Sequence, residues 1–369
     1  MESLVWKDEI KKSISTIEEL KEYIKLTPEE EKQLQEVIKI HPMLITRYYM
    51  SLINKNDPDD PIRKMAIPSV EELELSGSYD TSDERGNTKL TGLQHKYLQT
   101  VLVLSTSSCT TYCRHCFRKR IVGLPSKEIM QRFNDAVKYI AEHEEINNVL
   151  ISGGDPFVLS TKAIEGFLQK LSNISHLDFI RFGTRVPVTF PDRIIEDEEL
   201  LTLLQKNSVK NRRIYVVTQF NHPREITEKS INAVSKLISS GVIVNNQTVL
   251  LKGVNDNSDT LSELQNRLVG IGVNPYYVFQ CRPVKRVKHH FQVPLYKGIE
   301  IVENAKKKLN GNSKRFRYVM SHPTGKIEII GIMDGYFYFK YHQAKDPENI
   351  GKLFKKKLNK TAGWLDDLE

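Results

Sequence analysis

The sequence predicts an α/β fold built on a parallel sheet, because short β-rich runs alternate with longer amphipathic segments from about residue 100 onward. Such alternation favours parallel strands joined by right-handed helical crossovers. Six runs favour an open barrel or a doubly wound sheet, and in both architectures ligands bind at the carboxyl ends of the strands. The runs are VLVLST (101–106), NVLIS (148–152), FIRFGT (179–184), RIYVVTQF (213–220), VIVNNQTVL (242–250) and PYYVFQC (275–281).

Two regions flank this pattern and predict a three-part organisation. Residues 1–95 form a helical accessory region, with helical spacing over 4–24 and 29–40 and a helix start at 27–30. Residues 96–310 hold the barrel. Residues 311–369 form a small β-rich extension with strand-like runs at 316–321, 326–332 and 336–342, followed by a basic helix at 352–359.

Composition and charge restrict the class of protein. The 369 residues contain no apolar stretch near the roughly 20 residues of a transmembrane helix, and acids among the first residues disfavour a signal peptide. We therefore expect a cytoplasmic protein. The net charge is +8, and residues 281–369 alone carry 19 Lys and Arg against 9 Asp and Glu. Such a tail can bind nucleic acid or acidic membrane, but sparse aromatic residues favour a solvated basic face.

Three of the four cysteines form a cluster directly after the first predicted strand. Cys109, Cys113 and Cys116 lie within eight residues, which in a cytosolic chain favours a metal over disulfides. Three thiolates can hold three irons of a cubane [4Fe-4S] cluster and leave the fourth iron open to a small chelating molecule. Zinc is the alternative, but it needs a fourth ligand, and His115 between two ligands would be strained. We interpret Cys281 as a buried thiol at a strand end.

Six motifs together resemble the lysine 2,3-aminomutase family of radical S-adenosylmethionine (SAM) enzymes. They are CRHCFRKR (113–120), LISGGDP (150–156), FGTRVPV (182–188), FNHPREIT (220–227), NNQTVLLKGVND (245–256) and NPYYVFQC (274–281). The resemblance extends from about residue 92 to residue 332. It implies a partial (β/α)6 radical-SAM barrel and an isomerase that moves an amino group between C2 and C3 of an amino acid. It also implies three cofactors: a [4Fe-4S] cluster, SAM and pyridoxal 5′-phosphate (PLP).

The same resemblance implies a set of SAM-binding residues at the strand ends. Asp155 would accept hydrogen bonds from the methionine ammonium group, although 152–155 can also be a simple glycine-rich turn. Arg185 pairs either with a carboxylate of SAM or with one of the protein. Gln219 stands where relatives have a histidine. The full set is His115, Ser152, Gly153, Gly154, Asp155, Arg185, Gln219 and Gln247.

A second group of residues is implied for PLP. Lys326 follows Ser-His-Pro-Thr-Gly (321–325) and matches the lysine that forms an imine with the cofactor; the alternative is a solvated hairpin lysine. Lys96 and Tyr97 match positions that hold the cofactor phosphate. Lys96 replaces an arginine there, and Thr100 stands where relatives place a further arginine, so the phosphate site is altered.

The substrate residues differ most from those of lysine enzymes. Arg118 matches the arginine that binds the α-carboxylate of the substrate, a task that suits a bidentate guanidinium. Arg282 stands where lysine enzymes have one of two aspartates for the side-chain ammonium, and Ser321 aligns roughly with the other. This charge inversion favours an acidic amino acid over lysine. The alternative is that Arg282 contacts the cofactor phosphate. We interpret Lys119 and Arg120 as surface or sheet-end charges.

Two other functions remain open at this stage. One is a radical SAM enzyme that acts without PLP or on a protein-bound residue. The other belongs to a different class, an iron–sulfur protein that binds nucleic acid or regulates. For the favoured enzyme we expect an amino acid substrate, an electron donor such as flavodoxin or ferredoxin, and a homo-oligomer. We expect no membrane association and disfavour nucleic acid as a partner.

Overall fold

The computed structural model describes residues 5–369, so the first residue of the helical pattern at 4–24 lies outside the described part. Helices dominate the N-terminal region: α1 (Val5–Lys11), α2 (Ile17–Lys21), α3 (Pro28–Ile40), α4 (Arg47–Ser51) and α5 (Pro61–Ala66). The start of α3 is as predicted. The side chain of Thr27 accepts a hydrogen bond from the Glu30 N–H, and the Glu30 carboxylate accepts one in return from the Thr27 N–H.

Strands and helices then alternate through the centre of the chain. The elements are β1 (Thr88–Leu90), β2 (Leu93–Tyr97), β3 (Thr100–Thr106), α6 (Phe133–Ala141), β4 (Asn148–Gly153), α7 (Thr161–Leu171), β5 (Phe179–Gly183), α8 (Val186–Thr189), α9 (Asp192–Ile195), α10 (Glu198–Asn207), β6 (Arg213–Thr218), α11 (Glu228–Ser239), β7 (Ile243–Leu250), α12 (Ser258–Gly270), β8 (Asn274–Gln280), α13 (Lys288–Phe291) and α14 (Leu295–Lys307). Four further strands complete the chain: β9 (Arg317–His322), β10 (Gly325–Met333), β11 (Tyr336–Ala344) and β12 (Leu353–Lys357).

All twelve strands of the described residues belong to one sheet, in which neighbours follow chain order. Strands β3 to β9 run parallel, and the pairs at both ends of the sheet are antiparallel. The six predicted strands are therefore confirmed, and β9 adds a seventh. Its parallel pairing with β8, for example Val278 with Tyr318, joins the C-terminal extension directly to the barrel sheet.

The crossover helices bury one apolar face against this sheet. In α7, for instance, Ile164, Leu168 and Leu171 follow helical spacing and are buried, while Ser160 caps the first turn by accepting from the Ala163 N–H. Each such buried side chain contributes about 1.5–3 kcal/mol. The N-terminal helices share the same core, so they form one wall of the barrel.

The predicted basic helix at 352–359 is wrong, because this segment forms the edge strand β12. Phe354 pairs with Phe339 on β11 and stacks on it with 5.3 Å between ring centroids. Burial alternates along β12, and the lysines take the outward positions or line the exposed edge. Lysine-rich edges of this kind resist pairing with other sheets. Among residues 5–369, no helix has the length and apolar character needed to cross a membrane.

Candidate active site

A cavity of about 350 Å³ opens at the carboxyl ends of the parallel strands. All the residues predicted for the site line it, so the fold brings them together as the sequence indicates, while their individual roles remain predictions. They are Lys96, Tyr97, Cys109, Cys113, His115, Cys116, Arg118, Ser152, Gly153, Gly154, Asp155, Arg185, Gln219, Gln247, Arg282 and Lys326. A larger cavity of about 420 Å³, between α3, α5 and α13, contains none of them.

The cysteine loop is held in place by a buried network of charges. The carboxylate of Glu72 accepts from Arg114 Nε at 2.7 Å, from Arg114 Nη2 at 2.6 Å and from Lys119 Nζ at 2.6 Å. All three side chains are buried. Arg120 also pairs inside the protein, with Glu84 at 2.7 Å. The prediction that Lys119 and Arg120 are surface charges is therefore wrong, since these residues anchor the loop to the N-terminal region.

The three predicted cluster ligands all line the cavity. Cys109, Cys113 and Cys116 are free and partly exposed, whereas Cys281 is buried as expected. Burial, with a smaller effect from Cys113, raises the pKa of Cys116 to about 11, and burial beside Asp155 raises the pKa of Cys109 well above its usual value. Among residues 5–369, no three His, Cys, Asp or Glu side chains lie close enough together to form a ready ligand set for a metal ion. Three soft thiol donors on one loop fit a cubane cluster.

The glycine turn after β4 packs directly against this loop. Gly153 has φ +120°, and a Cβ there would come within 2.4 Å of the Thr106 carbonyl oxygen. A Cβ on Gly154 would lie 2.2 Å from the Ser108 carbonyl oxygen. Asp155 is buried, and its carboxylate accepts from the N–H groups of Phe157 at 3.0 Å and Arg185 at 2.6 Å. Close packing against the cysteine loop therefore explains why both positions are glycine. The Asp155 carboxylate holds the backbone of Phe157 and Arg185 in place.

Of the remaining residues predicted to bind SAM, Arg185, His115 and Gln219 already contact other side chains of the protein, whereas Gln247 does not. Arg185 forms an ion pair with the buried carboxylate of Glu225, and its Nη1 lies 2.8 Å from Cys113 Sγ. Of the two interpretations of Arg185, the structure thus displays the salt bridge within the protein. His115 Nε2 lies 3.2 Å from Gln219 Oε1, while burial lowers its pKa to about 3. Gln247 faces the cavity from β7 and makes no side-chain hydrogen bond to any residue in 5–369.

Lys326 lines the same cavity and is the second residue of β10, directly after the turn from β9. It pairs across the sheet with Ser321 on β9 and Gln343 on β11. Its Nζ lies 4.4 Å from the ring centroid of Tyr277. Burial, with smaller effects from the charges of Arg181, Lys96 and Arg282, lowers the pKa of Lys326 to about 7. A substantial fraction of the amine is therefore neutral and nucleophilic near neutral pH, which fits a lysine that binds PLP.

The residues predicted for the cofactor phosphate lie beside this lysine. Lys96 Nζ donates to the His322 carbonyl oxygen at 2.5 Å, and burial is the main reason that its pKa falls to about 7. Burial raises the pKa of the Tyr97 hydroxyl, which therefore stays protonated and can donate a hydrogen bond. Burial of the Lys96 ammonium group costs free energy, and a neighbouring anion would offset that cost. The site formed by Lys96 and Tyr97 therefore fits a phosphate group.

The predicted substrate residues surround one aromatic ring. The guanidinium carbons of Arg118 and Arg282 lie 4.6 Å and 4.2 Å from the ring centroid of Phe117. Arg118 donates to Glu84 Oε1 at 3.2 Å and to Ser152 Oγ at 3.1 Å. Arg282 donates to the hydroxyl of Ser82 at 2.9 Å and forms no ion pair within residues 5–369. The charge of Glu84 acts on it without a salt bridge, so the N–H groups of Arg282 can still bind an anionic ligand.

Two residues of the cavity lie outside the sequence-based prediction. Glu84 pairs with Arg118 and Arg120, and these charges outweigh the effect of burial and keep the pKa of Glu84 below its usual value. Nothing in its polar, turn-rich segment signalled this role. Arg181 lines the floor of the cavity from β5. A signal did exist there, because a charged residue is unusual inside a buried parallel strand.

The chain is similar to known proteins over most of its length. A model of the radical SAM superfamily matches residues 103–264. The L-lysine 2,3-aminomutase of Clostridium subterminale is 41% identical over 372 residues, which cover 98% of this chain and 86% of the relative. That of Acetoanaerobium sticklandii is 40% identical, with 83% and 73% covered. The glutamate 2,3-aminomutase of Clostridioides difficile is 36% identical, with 87% and 74% covered.

Proposed function

Because the chain belongs to the lysine 2,3-aminomutase family of radical SAM enzymes, we propose that it moves the amino group of an acidic amino acid between C2 and C3. The chain is an isomerase of the 2,3-aminomutase type. The identity of the substrate is the new part of the proposal. It rests mainly on one observation, the unpaired guanidinium of Arg282 inside the cavity.

The family uses a [4Fe-4S] cluster, SAM and PLP. When bound, these groups supply a carbon-centred radical and a conjugated ring over which an unpaired electron spreads. Cys109, Cys113 and Cys116 would hold three irons of the cluster. The free amide of Gln247 would contact SAM from β7, and Lys326 would hold PLP at the opposite end.

The rest of the cavity orients the reacting groups and excludes water. Phe117, Val249 and Phe279 contribute apolar walls between the cysteine end and the lysine end. A dry, preformed cavity limits side reactions of a radical with solvent. A preformed cavity also holds the reacting groups at a fixed distance, which lowers the entropic cost of the reaction.

The charge balance of the cavity favours a substrate with two carboxylates. Its lining contains two carboxylates of its own, Glu84 and Asp155, within the described residues. Glu84 is shared by three arginines, since it pairs with Arg118 and Arg120 and its charge acts on Arg282, and backbone N–H groups occupy Asp155. A lysine side chain would therefore place its ammonium group beside Arg282, where the one nearby carboxylate already serves three arginines, at a cost in free energy.

An acidic amino acid avoids that cost. We assign its α-carboxylate to Arg118 and its side-chain carboxylate to Arg282, which would give each carboxylate a guanidinium partner. One relative of the chain is named glutamate 2,3-aminomutase, and its name gives an acidic amino acid as the substrate. Glutamate and aspartate are therefore the first substrates to test.

The experiment is a substrate panel on protein reconstituted without oxygen with iron, sulfide, SAM and PLP. Glutamate, aspartate, glutamine and lysine are supplied separately, and the β-amino acid product is measured by mass spectrometry. We expect turnover of an acidic substrate and none of lysine. Arg282→Gln should lower kcat/KM for the acidic substrate about 10- to 100-fold, because it removes a charge-assisted contact.

Lys285→Gln is the matched control, since this residue lies three positions further along and does not line the cavity. It should leave the substrate preference unchanged. Turnover of lysine alone would contradict the proposal. An Arg282→Gln protein that loses affinity for PLP and keeps its substrate preference would instead assign the guanidinium to the cofactor phosphate.

The partners and location follow from the same proposal. The reaction needs one electron from outside the protein, so we propose flavodoxin or ferredoxin as the donor. Exposed apolar side chains on the extension, Ile330, Met333 and Leu353, support a homo-oligomer. We propose a cytoplasmic location for an enzyme with an oxygen-sensitive cluster. Light scattering of the reconstituted protein tests the oligomeric state.

A further inference from the structure

Arg185 is held by four polar contacts, and one of them is with a cysteine predicted to bind the cluster. Its backbone N–H donates to the Asp155 carboxylate at 2.6 Å, and its Nε donates to the Gln219 carbonyl oxygen at 2.9 Å. Its Nη2 forms an ion pair with the buried carboxylate of Glu225. Its Nη1 donates to Cys113 Sγ at 2.8 Å. The guanidinium group is therefore fixed in orientation, with one N–H directed at a sulfur atom.

Tyr49 of the N-terminal region completes this arrangement. Its hydroxyl donates to Glu225 Oε1 at 2.6 Å and accepts from Arg185 Nη2 at 3.1 Å. Tyr49 and Glu225 are both fully buried, so water cannot easily replace the guanidinium group as their partner. Turning the guanidinium group away from Cys113 would leave these buried groups unsatisfied, at about 1–3 kcal/mol for each.

A guanidinium group at this position has an effect of definite sign on an iron–sulfur cluster. The reduction potential of a cluster depends on nearby charge and on hydrogen bonds to its sulfur ligands. Reduction adds one electron, so the total charge of the cluster becomes more negative by one. A positive group that donates a hydrogen bond to a ligand sulfur stabilises this more negative form. Among residues 5–369, Arg185 is the one side-chain cation that donates to a cysteine of the loop.

We propose that Arg185 is a positioning residue of the iron–sulfur cluster and raises its reduction potential through the hydrogen bond to Cys113. The inference rests on the proposed function, because it needs a cluster on Cys109, Cys113 and Cys116. The negative charge of Glu225 acts in the opposite direction, since it offsets part of the guanidinium charge. The sequence motifs gave Arg185 only a role toward SAM, whereas this role toward the cluster does not depend on SAM.

The experiment measures the midpoint potential of the cluster in protein reconstituted with iron and sulfide alone. Without SAM, pyridoxal phosphate or substrate, turnover does not enter the measurement. The protein is titrated with titanium(III) citrate and redox mediators, and electron paramagnetic resonance follows the reduced cluster. We expect Arg185→Gln to make reduction about tenfold less favourable, which lowers the midpoint by about 59 mV for a one-electron couple. Arg185→Lys keeps the charge and should recover part of this shift.

Two further variants separate the contact from a general disturbance of the loop. Lys96→Gln removes an equal charge from the same cavity, but its amine donates to the His322 carbonyl oxygen, so the midpoint should move much less. Glu225→Gln removes the offsetting negative charge while Gln219 and Tyr49 still hold the guanidinium group, so the midpoint should rise. The midpoint is a property of the clusters that assemble, so incomplete loading of a variant does not obscure it.

Two results would overturn the inference. An unaltered midpoint in Arg185→Gln would show that the hydrogen bond does not affect the cluster, and weaker SAM binding by that variant would then assign the guanidinium group to SAM. A fall of the midpoint in both Arg185→Gln and Glu225→Gln would show that loop disturbance, and not charge, sets the potential. Failure of the unaltered protein to assemble a [4Fe-4S] cluster would instead contradict the proposed function. Iron analysis and the absorption spectrum detect that failure before any variant is compared.

Discussion

The Glu72 network gives a strong test of how the N-terminal region supports the cysteine loop. Glu72→Gln keeps the shape of the side chain and removes its charge. The carboxylate accepts three hydrogen bonds of 2.6–2.7 Å from Arg114 and Lys119, all in buried surroundings. Removing one partner of a buried ion pair leaves uncompensated charge, which costs about 3–5 kcal/mol.

The pKa of Glu72 provides a second route to this magnitude. Burial alone would raise that pKa, but the charges of Arg114 and Lys119 outweigh it and lower the pKa from 4.5 to about 2. A depression of this size corresponds to about 3 kcal/mol of stability at neutral pH. This contribution is complete above about pH 4.5 and is lost as the pH falls toward 2.

The assay is urea unfolding of the cluster-free protein, followed by circular dichroism at several pH values. We expect Glu72→Gln to lose about 3 kcal/mol at pH 7 and to approach the unaltered protein only as the pH falls toward 2. Glu142→Gln is the control, because its pair with Lys138 is exposed and should contribute less than about 1 kcal/mol. A loss below 1 kcal/mol for Glu72→Gln at pH 7 would refute the argument.

The remaining predictions concern the two ends of the cavity. Gly154→Ala should sharply reduce the iron bound after reconstitution, since its Cβ would meet the Ser108 carbonyl oxygen at 2.2 Å, whereas Gly166→Ala, with open space around it, should bind iron normally. Equal iron contents in the two variants would contradict the packing argument. The rate at which the protein captures pyridoxal phosphate should rise with pH around a midpoint near 7, because the neutral amine of Lys326 is the nucleophile and its pKa is about 7. Stopped-flow absorbance measures this rate, and a midpoint near 10 would show an ordinary solvated lysine.

The sequence predicts the barrel and the site because both depend on local patterns. Each parallel strand is a short apolar run, and the residues after it reach one edge of the sheet by topology alone. For this reason Cys109, Asp155 and Gln219 share a cavity although they are distant along the chain. The three cofactors were predicted from the resemblance to a known family and not from these local patterns.

Contacts between distant segments could not be predicted in this way. Whether 352–359 forms a helix or a strand depends on its partner, and pairing with β11 decides for the strand. Lys119 is buried because it pairs with Glu72, which is distant in the sequence, and the local sequence gives no sign of that partner. Glu84 lines the cavity because its segment packs against the barrel, and it contacts Arg118 and Arg120 of the cysteine loop there. Charge and periodicity carry no information about such partners.

The central claim is that Lys326 holds pyridoxal phosphate in a radical SAM aminomutase. The most direct test is to reconstitute the protein anaerobically with iron, sulfide and pyridoxal phosphate, reduce it with borohydride, and map the labelled peptide. We expect a phosphopyridoxyl group on Lys326 and no label in Lys326→Ala. A protein with an intact cluster and an unlabelled Lys326 would contradict the claim and favour a radical SAM enzyme that acts without this cofactor.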